Sequence, residues 1–257
     1  MFRHPNNAYT QLFLKGTFMN ETVRITAERI RKLEVQGARN VAIAAIKALE
    51  SLSEQTKANT RKAFIGELSE AQSEFFSSRE TEPLMRNAIR WIITQVEDSD
   101  ERGVTELANL VTLGSRNFQK SLEASKERIA DIGANRIRNG SVVFTHCHSS
   151  TVTHMIAKAK AQGKIFEVIC TETRPAFQGR ITAKEMLKLG IKTTFIVDSS
   201  ARTFMNSVNL VVVGADAITS EGNVVNKIGT GAIALLAHEA RAPFYVVSEL
   251  LKFEFQE

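Results

Sequence analysis

Between Phe144 and Val152 the chain reads FTHCHSSTV, a short span holding two histidines, two serines and one of only two cysteines. Such a cluster suits a metal site, a thiol nucleophile, or a polar loop around an inert thiol. Zinc needs further ligands at suitable spacing, and no second Cys/His cluster stands elsewhere in the sequence, so a metal is not expected. Cys147 lies between an apolar run and a helix start. There the helix dipole is expected to lower a thiol's pKa, although a free cysteine is as readily a small buried hydrophobe. Cys170 sits inside an apolar run and is assigned to packing. Of His146 and His148, one is expected to be structural and the other to face solvent or substrate.

A carboxylate, Asp216, closes the run LVVVGAD. It either caps a turn or, if partly buried, stays protonated and serves as a general acid. A thiolate and a protonated carboxyl make a proton-transfer couple. Arg174, Arg180, Lys227 and Lys252 are ordinary surface charges or an anion-binding set. Ser149, Ser150 and Thr151 at a helix start add amide and hydroxyl donors for phosphate. Neither a Walker sequence nor G-x-G-x-x-G is present, so nucleotide-driven and NAD chemistry lack their usual signature.

These groups need elements to position them. After an aperiodic extension over 1–19, Asn20 is placed to cap a helix with Val23, Ala27 and Ile30 on one face. Gln36-Gly37 is expected to interrupt that helix. Helical spacing continues over Ala38–Leu52, Ala63–Phe76, Met85–Val96, Thr105–Leu113 and Phe118–Arg138, with Asn139-Gly140 as the stop. From Ser141 the pattern alternates. Strands are expected at Val142–Thr145, Phe166–Cys170, Thr193–Val197, Leu210–Val213 and Phe244–Val247, with amphipathic helices between them. Strands separated by helices mean parallel βαβ units. The expectation is an α/β protein: a helical domain over 20–140, then a Rossmann-like doubly wound parallel sheet over 141–257. The polar groups named above follow the strands, where such sheets bind ligands.

With 257 residues, 43% hydrophobic and 24% charged, the composition is that of a globular protein. The apolar runs are too short to span a bilayer, no secretory signal is seen, and two cysteines suit a reducing compartment. The expected location is cytoplasmic, with no membrane partner. Met19 is as acceptable a biological start as Met1. A net charge of +5 suits nucleic acid or a phosphorylated metabolite. One Trp and two Tyr offer few stacking platforms, so nucleic acid is not the expected partner.

THCHSS, TETRPAFQGRITAKE, VVGADAITSEGNVVNKIGT and PFYVVSE resemble the archaeal ribose-1,5-bisphosphate isomerases. Gln36-Gly37-Ala38 and the Arg79 region extend the resemblance into the N-terminal half. That family is related to the alpha, beta and delta subunits of translation initiation factor 2B and to the methylthioribose-1-phosphate isomerases. The resemblance runs from about Thr22 to Phe253. It implies a helical domain before a Rossmann-like domain, and homo-oligomers built from dimers. It implies Cys147 and Asp216 as catalytic groups, with no cofactor or metal. Gly37, Ala38, Arg79, Ser149, Ser150, Thr151, Asn226, Lys227 and Lys252 match substrate-binding positions. Arg39 neighbours the Gly-Ala pair, where members carry Arg and this chain has Gln36. The implied reaction turns ribose 1,5-bisphosphate into ribulose 1,5-bisphosphate in nucleoside monophosphate salvage. The resemblance also admits a non-catalytic regulator acting on initiation factor 2, and a methylthioribose-1-phosphate isomerase. The Cys–Asp pair favours an enzyme over the regulator, and THCHSS leans away from the second isomerase. Members of the family continue beyond the position of Lys252, so the sheet is expected to be shortened at its C-terminus.

Overall fold

The computed structural model describes residues 20–254; the expected extension lies outside them. Asn20 caps α1 (Glu21–Arg31) as its sequence position predicts, its Oδ1 accepting the N–H groups of Thr22 and Val23 at 3.0 and 3.3 Å. Val23, Ala27 and Ile30 form the buried face. The helix ends before Gln36-Gly37, because Leu33 turns left-handed (φ 59°) and the Glu34 N–H folds back onto the Arg29 carbonyl. Next come α2 (Ala38–Gln55), α3 (Arg61–Ser78) and α4 (Pro83–Glu97), with α1 packed on α2 and α3.

The two segments expected over 105–138 are one helix, α5 (Val104–Ala134). Gly114-Ser115 reads as a break, since glycine inside a helix costs about 1 kcal/mol. The helix continues there because Ser115 is wholly buried and donates to the Glu50 carboxylate at 3.4 Å. It stops short of Arg138 because its last turn tightens: the N–H groups of Arg136 and Ile137 bond to carbonyls three residues back, on Gly133 and Ala134. Two compact units divide the chain within α5. One comprises the described residues through Glu80 with Met85–Asn117; the other comprises Thr81–Leu84 and everything from Phe118.

The second unit carries β1 (Val142–Thr145), α6 (Ser150–Ala161), β2 (Glu167–Thr171), α7 (Gly179–Lys188), β3 (Lys192–Ile196), α8 (Ala201–Met205) and β4 (Leu210–Val213). The hairpin β5 (Ala217–Ile218) and β6 (Val224–Val225) follows, then α9 (Thr230–Glu239) and β7 (Phe244–Val246). All five expected strands are present to within one residue at each end. They form one parallel sheet in the order β3-β2-β1-β4-β7.

Side chains alternate across that sheet. Val143, Val168, Cys170 and Val212 point into a core with Ala130, Val152, Ile156 and Met186. Phe144, Ile169, Val211 and Val213 point into a second core with Met205, Ile233 and Ala237. Both faces are therefore covered by helices, which makes the sheet doubly wound. Cys170 is wholly buried and packs as expected. The β5–β6 hairpin was not foreseen: two residues per strand are too few to show a period of two. Among the described residues no helix is long and apolar enough to cross a membrane.

Candidate active site

The chain leaves β1 in one direction along the sheet to build β2 and β3, then returns to the other side of β1 to build β4. The crevice between the carboxyl ends of β1 and β4 is the switch point of the sheet, where ligands of such folds bind. Cys147 follows β1 and Asp216 follows β4, and these strands are hydrogen-bonded neighbours (Val143 opposite Leu210, Phe144 opposite Val211). Topology thus brings together the thiol and the carboxylate that the sequence singled out.

Cys147 has a left-handed backbone (φ 70°), which costs a non-glycine residue of the order of 1 kcal/mol. Both its peptide groups are gripped. Its N–H donates to Thr173 Oγ1 at 2.9 Å, and its carbonyl accepts the Thr182 hydroxyl at 2.9 Å. Burial pushes the thiol above its ordinary value. The His148 backbone N–H and the Lys227 ammonium pull the other way, while Asp216 and Asp198 add to the rise. The expectation of a lowered pKa is therefore corrected: withdrawing the thiolate from water outweighs the donors aimed at it.

Ser149 caps α6, its hydroxyl accepting the Val152 N–H at 3.4 Å, and Ser150 and Thr151 open the first turn. The cap lies against Gly214, where an added Cβ would stand 2.7 Å from Ser149 Oγ, so only glycine admits this approach of the β1 and β4 loops. Thr151 is buried and donates to Glu249 Oε1 at 3.3 Å. Glu249 pairs with Lys252 at 3.3 Å, and Lys252 donates to the Ala215 carbonyl at 2.8 Å. Lys252, only 6% exposed, is thus a buried tie beneath the Asp216 loop. The Asp216 N–H donates to Val225 at 2.8 Å, so the hairpin holds the carboxylate's own peptide.

Asn226 and Lys227 form the turn before α9, with Asn226 Nδ2 donating to Thr230 Oγ1 at 3.1 Å. A hollow of about 430 Å³ borders this turn, lined by Asn226, Lys227 and Thr230 with apolar Val224, Ile228 and Phe244. Neither Cys147 nor Asp216 lines it. Past β2, the guanidinium groups of Arg174 and Arg180 stand 4.6 and 4.3 Å from the Phe177 ring centre, so one aromatic ring organises two cations. Gly37, Ala38, Arg39 and Arg79 belong to the first unit, where Gly37 precedes α2 and Arg79 ends α3.

Of the two histidines, His146 takes the structural place. His146 is 2% exposed, while half-buried His148 has Nδ1 3.2 Å from Thr182 Oγ1 and Nε2 3.9 Å from Glu185. Sequence reasoning gave no role to Asp198. Its carboxylate accepts the N–H groups of Thr173 and Arg174 at 2.8 and 2.7 Å. Burial would raise its pKa, but these two N–H groups lead the opposing interactions and hold it below the usual range. The only sequence signal was its place after the third strand.

The model of the initiation factor 2 subunit family matches residues 34–257, and the chain belongs to that family. It is 42% identical over 233 residues to a ribose 1,5-bisphosphate isomerase of Archaeoglobus fulgidus, covering 91% of this chain and 72% of that protein. Among solved structures it resembles the translation initiation factor eIF-2B of Pyrococcus horikoshii OT3 (TM-score 0.82, 31% identity, 91% of this chain and 81% of that one). It also resembles the 5-methylthioribose 1-phosphate isomerase of the same organism (TM-score 0.77, 27% identity, 90% of this chain and 68% of that one).

Iodoacetamide labelling of the native chain should titrate with a midpoint above the ordinary cysteine value of about 8.5. Cys170, which burial pushes up to about 12, should stay silent until the chain unfolds. A midpoint near neutrality would contradict the buried thiol described above. Lys252→Met, which strands Glu249 as an unpaired buried charge, should cost roughly 3–5 kcal/mol in urea unfolding; a loss below about 1 kcal/mol would mean that the pair is solvated.

Proposed function

We propose that this chain converts ribose 1,5-bisphosphate to ribulose 1,5-bisphosphate, with Cys147 and Asp216 carrying the protons. The observation that carries the reading is the meeting of these two groups at neighbouring strand ends of the switch point. It is supported by 42% identity to a relative named for that reaction.

The substrate is a ring closed through O4, with phosphate esters on C1 and C5. In the substrate complex Asp216 carries a proton and gives it to O4 as the C1–O4 bond breaks. Cys147, as thiolate, removes the proton on C2, and that electron pair forms the C1=C2 double bond. The product of this half is an open-chain enol phosphate. The C2 hydroxyl then returns a proton to Asp216 and becomes the ketone, while the Cys147 thiol delivers its proton to C1. Each group ends as it began, so atoms and charge balance without a redox partner.

The remaining residues suit the two phosphates and the developing negative charge. Ser149, Ser150 and Thr151 present a helix start, and Arg174, Arg180, Asn226 and Lys227 supply donors and positive charge. Lys252 contributes by holding Ala215, next to the acid. Burial of the thiol serves the mechanism, because a desolvated thiolate of raised pKa is a stronger base toward carbon. The product would enter nucleoside monophosphate salvage, and the working form would be a homo-oligomer built from dimers.

With ribose 1,5-bisphosphate, NMR should show formation of the ketose bisphosphate. Cys147→Ser and Asp216→Asn should each lower kcat by about 100-fold to 10,000-fold. Retained turnover in Cys147→Ser would overturn the proton-carrier role. Preference for 5-methylthioribose 1-phosphate, or capture of initiation factor 2 without turnover, would overturn the assignment. Light scattering should return a dimer or a multiple of it; a monomer at micromolar concentration would contradict the assembly.

A further inference from the structure

His146 has no place in the proton transfers, yet its ring is buried at the strand ends, with the residue 2% exposed. Its Nε2 lies 2.8 Å from the Ile228 carbonyl and its Nδ1 2.6 Å from Thr171 Oγ1. A carbonyl only accepts, so Nε2 carries the hydrogen. Burial lowers the imidazole's pKa; the Ile228 carbonyl and Asp198 oppose this, and Lys227 reinforces it. In the neutral ring Nδ1 is a lone pair, and the Thr171 hydroxyl must donate to it. Thr171 Oγ1 in turn lies 3.2 Å from Thr173 Oγ1, which already accepts the Cys147 N–H. Every donor can then point one way: Cys147 N–H to Thr173, Thr173 to Thr171, Thr171 to His146, His146 to Ile228. Such an aligned chain strengthens each of its bonds.

The far end of the chain is the Lys227–Gly229 turn. Gly229 has a left-handed backbone (φ 98°), and an added Cβ would stand 3.1 Å from His146 Nε2 and 3.2 Å from Cε1. The turn's backbone therefore rests directly on the ring. Two residues back from Gly229, Lys227 carries an ammonium that acts on the Cys147 thiol, where Asp216 and Asp198 oppose it.

We propose that His146 is a positioning residue: its ring, held at both nitrogens, braces the Lys227–Gly229 turn against the Cys147 strand end and so places the Lys227 ammonium relative to the thiol. Its catalytic consequence rests on the isomerase reading; the bracing itself does not, and it can be read without any sugar phosphate.

Thr171→Val keeps the side-chain shape and removes only the hydroxyl that orients the ring. Iodoacetamide labelling of Cys147 at pH 8 should slow about threefold to tenfold, an upward shift of roughly half to one pH unit in the thiol titration. Thr171→Ser should restore the native rate. Gly229→Ala, which displaces the turn from the other side of the ring, should slow labelling in the same direction, and it carries the comparison if Thr171→Val does not fold. Lys227→Met should slow labelling by itself, and adding Thr171→Val or Gly229→Ala to it should produce no further change. Unchanged labelling in both single variants would overturn the proposal. So would an effect that persists in full without Lys227, because the ring would then act on the thiol by another route. Absence of isomerase activity in the native chain would overturn the proposed reaction and leave this result standing.

Discussion

Covering both faces of a parallel sheet is the constraint on which the rest of this unit depends. With Val143, Val168 and Val212 committed to one core and Phe144, Val211 and Val213 to the other, the central strands β2, β1 and β4 have no wet face. Polar groups are confined to the strand ends, and at the carboxyl ends they crowd the crevice left where the chain reverses across β1. Cys147 and Asp216 meet there because β1 and β4 are neighbours, although many residues separate them in the chain.

Crowding polar groups at a half-buried edge creates a second problem, since each must find a partner or lose its hydration. The unit solves it with short ties between loops. Asp198 takes two peptide N–H groups of the Thr173–Arg174 turn. That turn's Thr173 holds the Cys147 peptide in its left-handed conformation. Lys252 and Glu249 do the same for the Asp216 loop and α6. The reacting groups are thereby set on braced loops at the ends of rigid strands, which is the arrangement that proton transfer to carbon demands. Burial also decides the character of the thiol. The Lys227 ammonium and the His148 N–H favour the thiolate, yet desolvation outweighs them.

The legibility of this protein follows the range of the interactions involved. The five long strands were readable because β-branched runs alternate with amphipathic helices, and the Asn20 cap was readable because its bonds reach only two and three residues ahead. The uninterrupted α5 was not readable, because the wholly buried setting of Ser115 comes from packing rather than from neighbours in sequence. The β5–β6 hairpin was hidden by its shortness. A raised rather than lowered thiol pKa was hidden because burial is not a local property.

The sequence by itself determined the α/β class, the strand order of chemistry-bearing loops, and Cys147 and Asp216 as the groups worth attention. Those follow from residue type, periodicity and position relative to strand ends. Tertiary structure alone decided that Lys252 is a buried tie and that His146 joins the Cys147 and Lys227 loops. These depend on which distant segments pack together and on how much water that packing removes, and neither quantity is written in any short stretch of chain.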